Sequence, residues 1–257
     1  MLMLSAAIFA SCVGAAYADP ASDYGRVVIN NFSERAGMPA VVFDHWLHRG
    51  LYTCRLCHVD VGFAMEQGAT NINKAGNFNG YYCGACHNGR TRFGDKAIFP
   101  ACSDVSALGE KKRCYRCHSR GVDDVQMEYD FAAFTKALPK KGSGNGIDWE
   151  QAEATGLVKP IDYIEGVSIK RPAIKPQEDF AIHSKSTWMT DVIFSHKKHA
   201  VWNGCEVCHP EIFPMGDKGS VQFNMLQIYD GEYCGVCHDK VAFPLRDCER
   251  CHSKPVQ

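Results

Sequence analysis

The chain has 257 residues, 46% of them hydrophobic and 22% charged, with a formal net charge of -1. That length suits one large domain or two small ones, and the near-neutral balance argues against nucleic acid as a partner. Beyond the N-terminus no apolar run is long enough to span a bilayer, and the unusual component is cysteine, with 14 residues.

The first segment, MLMLSAAIFASCVGAAYA, is apolar, carries no charge and ends in small residues at Ala16, Tyr17 and Ala18. It predicts a secretory signal over residues 1–18, cut before Asp19. A rival reading makes Cys12 a lipid-modified cysteine. Export leads to an oxidising compartment, where paired cysteines usually form disulfides. The spacing here argues for something else.

Twelve cysteines fall in six copies of C-x-x-C-H: Cys54-Cys57-His58, Cys83-Cys86-His87, Cys114-Cys117-His118, Cys205-Cys208-His209, Cys234-Cys237-His238 and Cys248-Cys251-His252. This is the attachment motif of c-type haem. Two thiols three positions apart reach one edge of a porphyrin from a single short turn, and the adjacent histidine binds the iron beneath it. Zinc also uses C-x-x-C hooks, but needs two per metal and no histidine directly after each. The sequence therefore predicts six covalently attached, thioether-linked haems c. Cys102, in a loop, is left as a spare or partly buried thiol.

The chain also repeats itself. Phe43-Asp44-His45-Trp46-Leu47-His48 matches Phe194-Ser195-His196-Lys197-Lys198-His199 at an offset that also relates the first two haem motifs of each copy. The third motifs are offset differently, so the first copy carries an insertion between Asn88 and Arg113. The division expected is a first three-haem module over 19–121, a connector over 122–182 and a second module over 183–257. In the connector, residues 125–138 predict a short helix ended by Pro139. Asp148 reads as an N-cap with Gln151 three residues on and Gly156 as a stop. Trp149, Ile161, Tyr163 and Ile164 are candidates to pack on a module, which makes the segment an ordered connector. The fold class expected is mostly α, with long loops and little regular secondary structure, packed around the haems. So small a module has little side-chain core of its own and relies on such staples.

Six histidines serve the motifs, leaving His45, His48, His183, His196 and His199. Four of these form the two F-x-H-x-x-H elements. Positions three apart share one helix face, so each pair can serve two irons side by side.

F-x-H-x-x-H followed by three C-x-x-C-H motifs resembles the triheme class III cytochromes of the cytochrome c-seven type. The resemblance covers both modules and not the connector. It implies that His45 is the distal ligand opposite His58 and His48 the one opposite His87, with His196 opposite His209 and His199 opposite His238. The third haem departs from the pattern, because Asn79 and Asp230 stand where a distal histidine is usual. Met225, with Met215 behind it, is the candidate opposite His252. Met65 or His183 is the candidate opposite His118; Lys74 stands at the first-module position equivalent to Met225.

Two axial imidazoles close the iron to substrate and keep its potential low, whereas a methionine raises it. The expectation is an electron carrier rather than an enzyme: a periplasmic or extracellular relay in anaerobic respiration. Its partners would be redox proteins, a quinol-oxidising membrane complex or other cytochromes. Two alternatives stand beside it: a homopolymeric filament whose neighbouring chain supplies a missing ligand, and a multihaem reductase with an open iron above His118. Lys111-Lys112-Arg113 is the one strong basic run and reads as a solvated loop face.

Overall fold

A computed structural model describes residues 24–102, 114–118, 131–175 and 177–254. The expected signal segment, Cys12, the Lys111–Arg113 run and the start of the 125–138 helix lie outside the described residues.

Two elements of the same design anchor the two halves. In the first, strand β1 (Arg26–Ile29) pairs antiparallel with β2 (Val41–Asp44), in register from Arg26 opposite Asp44 to Ile29 opposite Val41. Val27, Val28, Ile29, Val41 and Val42 supply the β-branched side chains that suit a pleated, half-buried surface. Helix α1 (His45–Leu51) leaves directly from β2. Three short helical turns follow along the first half. One is an i→i+5 turn over Leu56–Asp60, and the others are α2 (Lys74–Phe78) and α3 (Cys83–Cys86). A small hairpin, β3 (Arg92–Phe93) with β4 (Lys96–Ala97), fills part of the insertion specific to this half.

Between the halves come α4 (Phe131–Thr135) and α5 (Trp149–Ala154). Asp148 caps α5 by accepting from the Gln151 backbone N–H, and Gly156 follows in the left-handed region with φ +72°. In the second half β5 (Phe180–Ile182) pairs with β6 (Asp191–Phe194), and α6 (His196–Asn203) leaves from β6 as α1 leaves from β2. Then come α7 (Met225–Tyr229), a 3-10 turn over Tyr233–Val236, α8 (Cys248–Cys251) and β7 (His252–Lys254), which adds a third strand beside β6. β5 lies in the expected connector range, yet its pairing ties it to the second half.

Helices of four to eight residues and long loops match the expected scarcity of regular structure. The three small sheets are an addition to the expected, mainly helical fold. Two of them arise because each ligand helix is delivered by a hairpin, whose second strand carries the Phe of F-x-H-x-x-H, and the third is the β3–β4 hairpin of the insertion.

The side-chain core sits at the connector rather than inside either module. Trp46, Ile147, Trp149, Ala152 and Val158 are buried together, with Leu47, Phe131, Phe134, Leu138 and Trp202 packed around them. Trp149 also donates to the Asn145 side-chain oxygen at 3.0 Å. Gly50 on α1 is needed for this contact, because a Cβ there would stand 2.7 Å from the Phe134 ring. Of the other connector residues expected to pack, Ile161 exchanges backbone hydrogen bonds with Leu51 and Thr53, while Tyr163 is exposed.

An ion network joins the parts. Arg55, 4% exposed, pairs with Asp162 and lies 3.5 Å from Glu206. Arg171 pairs with Asp60 at 2.7 Å and with Glu206 at 2.8 Å. Lone surface pairs contribute little, but this one links five charges from three segments, and breaking a buried member leaves its partner uncompensated.

Candidate haem sites

Each F-x-H-x-x-H element is built around its phenylalanine. Phe43 lies edge-on to His45 at 4.8 Å between ring centres and against His48 at 4.4 Å. Phe194 repeats this with His196 at 4.9 Å and His199 at 4.5 Å. The ring holds the two imidazoles apart on one helix face. Backbone carbonyls then fix their tautomer. His45 Nδ1 is 2.7 Å from the Gly25 oxygen and His199 Nδ1 is 2.8 Å from the Ser195 oxygen. His48 and His196 have longer contacts, 3.4 Å to Asp44 and 3.3 Å to Glu178.

The motif histidines are held the same way. His58 meets the Phe63 oxygen at 2.9 Å, His209 the Phe213 oxygen at 2.6 Å, and His238 the Phe243 oxygen at 3.2 Å. His118 meets Pro39 at 2.7 Å and His252 meets Thr190 at 2.6 Å. His87 Nδ1 is buried facing the Phe99 backbone without reaching good hydrogen-bond geometry. A carbonyl taking the Nδ1 proton leaves Nε2 as the free lone pair, the usual outer support of a metal-binding histidine.

Across the interior the rings come in opposed pairs. His45 and His58 are 6.4 Å apart between centres and nearly parallel, at 3°. His48 and His87 are 6.3 Å apart, and so are His199 and His238. A metal–imidazole bond of about 2.0 Å on each side, plus about 1.1 Å from nitrogen to ring centre, separates two rings on one iron by roughly 6.2 Å. The three pairs have that spacing. His196 and His209 make no such approach among the described residues; His196 packs instead on Phe180 and Phe194.

The pairs face one connected cavity of about 3520 Å³, to which every C-x-x-C-H motif contributes at least one cysteine. A pocket for a single small molecule holds about 300–1,000 Å³, so this space suits several large planar groups. Among the described residues no three His, Cys, Asp or Glu side chains converge on a point as they would around a bare ion. Opposed imidazoles, cysteine pairs and a wide shared cavity fit haem.

Burial sets the protonation states. It pushes His45, His48 and His238 down to about 4, and lowers His58, His87 and His199 as well. The rings are therefore neutral, the form that binds iron. Burial pushes the thiols of Cys57, Cys83 and Cys237 up to about 12, and those of Cys117 and Cys234 up to about 11. These are S–H groups, which would hold haem by adding sulfur and hydrogen across its vinyl double bonds.

The remaining candidates are placed differently. His183 is an exposed ring with Nδ1 3.0 Å from Asp191, on the sheet that carries His252, and no ring contact joins it to His118. Met225 is the first residue of α7, 40% exposed, and lines the same cavity as His252; Met215 is 74% exposed. Met65 is exposed on the cavity wall.

Two features were missed by reasoning from sequence. Phe99 packs on His87 at 4.4 Å with Arg116 over it at 4.1 Å; Phe243 packs on His238 at 4.3 Å with Arg250 over it at 4.1 Å. Each stack ties a second-motif histidine to the third motif. The insertion puts Phe99 and Phe243 out of the repeat register, which hid the match. The glycine of the second motifs is also structural. A Cβ on Gly84 would stand 1.8 Å from the Asn77 oxygen, and one on Gly235 1.8 Å from the Ile228 oxygen. The preceding tyrosines, Tyr82 and Tyr233, share the same unusual turn at φ +50° and +52°.

The model of the family described as cytochrome c7 and related cytochrome c matches residues 41–119 and 192–253, more than half of the chain. The chain belongs to that family. This cytochrome c7 relative carries covalently bound haem c, with six C-x-x-C-H motifs for six haems, and its class is that of electron-transfer proteins. The matched segments bracket the two halves and leave out the connector. Among solved structures, the chain is similar to the C-terminal hexaheme fragment of GSU1996, at 25% identity over 89% of this chain and 96% of that one, with a TM-score of 0.27. It is similar to the N-terminal hexaheme fragment of GSU1996 at 22% identity over 89% and 98%, with a TM-score of 0.26. It is also similar to the dodecaheme cytochrome c GSU1996 at 21% identity over 88% and 73%, with a TM-score of 0.27. No curated protein matches the chain.

Proposed function

We propose that this cytochrome is a periplasmic or extracellular relay, passing single electrons from low-potential donors towards terminal acceptors in anaerobic respiration. The observation that carries the reading is the set of opposed histidine rings, about 6.3 Å apart, around one cavity that all six motifs enter. Bound haem supplies reversible one-electron exchange at iron. The chain's own residues do the rest. His45 with His58, His48 with His87, and His199 with His238 would each hold one haem iron between them and leave it no open site for substrate. His196 with His209 completes the fourth pair once its ring turns inwards from Phe180. Met225 opposite His252 is the sixth-site assignment we favour, since Met225 is on the wall that His252 shares.

His118 has its Nδ1 fixed by Pro39, and His183, the distal residue suggested for it, is tied to Asp191. An acceptor on Nδ1 leaves Nε2 of His183 free for iron, so His183 opposite His118 is proposed alongside Met225 opposite His252. The modules are residues 19–121 and 183–257 with the connector between them, and the partners are redox proteins such as a quinol-oxidising membrane complex or other cytochromes. No helix among the described residues is long and apolar enough to cross a membrane.

The test is stopped-flow reduction by a low-potential one-electron donor, followed by mixing with a second cytochrome. Uptake of six electrons per chain and their delivery, with no binding of carbon monoxide or cyanide on the same timescale, supports the relay. Fast ligand binding at one iron shifts the reading to a reductase.

A further inference from the structure

The seam between the two modules holds a positive charge that the ligation scheme does not use. Arg49 follows His48 in the last turn of α1, and its guanidinium donates to the Val241 carbonyl in the second module. It stacks on Trp149 of the connector at 4.9 Å and on Trp202 of α6 at 5.6 Å. Beside it the Tyr24 hydroxyl donates to the Ala242 carbonyl, and a Cβ on Gly25 would stand 3.8 Å from Val241. All three segments of the chain therefore meet around this side chain.

Its electrostatic surroundings cross the seam as well. Arg49 lies within electrostatic reach of Cys54 of the first motif, Cys237 of the fifth, and Tyr24. Its charge is also felt by His45 in the first module and by His238 in the second. Among the described residues no carboxylate pairs with it. Burial lowers the Arg49 pKa from its ordinary value, yet a guanidinium keeps its proton at any working pH, and a charge lining a low-dielectric cavity acts more strongly than one in water. The repeat supplies an internal control: the second copy has Ala200 where the first has Arg49.

We propose that Arg49 is a potential-setting residue at the module seam, whose fixed charge raises the reduction potential of the haem sites at Cys54 and Cys237. Adding one electron there, from a low-potential one-electron donor, lowers the local charge by one. An unneutralised guanidinium favours that state, and no proton need accompany the electron. The seam then becomes a step where electrons collect on passing between modules. Arg49 touches neither iron, so it acts through the field and not as a ligand. The proposal rests on the ligation read above.

The test is a spectroelectrochemical titration of the intact six-haem protein and three variants. Arg49→Gln and Arg49→Met remove the charge; Met also suits the aromatic wall, since a buried charge can often be replaced by an apolar residue. Arg49→Lys keeps the charge. Haem content by mass and the low-spin spectrum are read first, so that loss of ligation is told apart from loss of tuning. The expected result is six low-spin haems in every variant. One or two midpoints should fall in the neutral variants by about tenfold in the reduction equilibrium, 59 mV for one electron, with Lys close to the parent. Unmoved midpoints in a six-haem neutral variant overturn the proposal, as they would if a haem propionate already neutralises Arg49. A fall of the same size in Lys overturns it too. Failure of both neutral variants to assemble while Lys assembles makes Arg49 a structural residue, and also overturns it.

Discussion

Helices α1 and α6 carry their two histidines at matching positions and differ in the residues between them. In α1 the intervening residues are Trp46 and Leu47, and Trp46 is 3% exposed against the connector. In α6 they are Lys197 and Lys198, both exposed, with Lys198 reaching Glu150 of α5. Gly50 admits Phe134, whereas its counterpart Val201 is 39% exposed. One ligand helix is therefore built into the side-chain core and the other is held chiefly by its hairpin, its histidines and Trp202. The lesson is that an F-x-H-x-x-H pattern specifies the ligand face alone. The opposite face is free to become core, as in α1, or solvent-facing, as in α6.

Four experiments probe that contrast. The largest effect comes from acid. His45 and His48 in α1, and His238 opposite α6, bind protons at about pH 4 in the fold against 6.5 when free. Unfolding therefore takes up protons between those values, and stability present above pH 6.5 is lost as pH falls towards 4. At 1.36 kcal/mol per unit this is on the order of 3 kcal/mol per histidine, without strict additivity. Iron competing for the same nitrogens moves the transition lower and leaves its sign unchanged. Guanidinium unfolding monitored by far-ultraviolet circular dichroism from pH 7 down to pH 3 should show midpoints falling as the pH falls; a profile flat over that whole range contradicts the coupling of these rings to the fold.

Trp46→Ala comes next. It removes the centre of the connector core and should cost about 3–5 kcal/mol. Lys197→Ala, at the matching position of α6, should stay within about 0.5 kcal/mol. Equal costs would erase the asymmetry. Swapping Gly50 for its counterpart, Gly50→Val, overpacks Phe134 and should cost about 1–3 kcal/mol. The reverse change, Val201→Gly, should cost about 1 kcal/mol or less, through helix propensity. The smallest effect is at the connector itself. Asp148→Ala removes the cap of α5, which should lower stability by about 1 kcal/mol, while the low-spin spectrum of both modules stays as it was.

Much of this design can be read in the sequence because covalent chemistry and local spacing write it there. The C-x-x-C-H motifs, the two F-x-H-x-x-H elements and the Asp148 cap are all contacts within a few residues of each other. The parts that escaped are those made at long range. Phe99 and Phe243 perform one task at unequal distances from their motifs, so the repeat does not align them. Arg49 looks like an ordinary helix residue until Val241 and Trp202 are brought beside it from the other module. The connector core is similar: Trp149 was recognisable as a packing residue, but its partners Trp46 and Phe134 were not. His183 belongs with these: it stands outside both F-x-H-x-x-H elements, and only the fold brings its ring beside the Asp191 carboxylate.

The most direct test of the histidine pairing is near-infrared magnetic circular dichroism on the fully oxidised protein, counting haems by axial ligand pair. The expected result is six low-spin haems, bis-histidine for the most part, with at most two showing the histidine–methionine band. A high-spin haem in the monomer contradicts it, and would place an open iron site in a protein proposed here to have none.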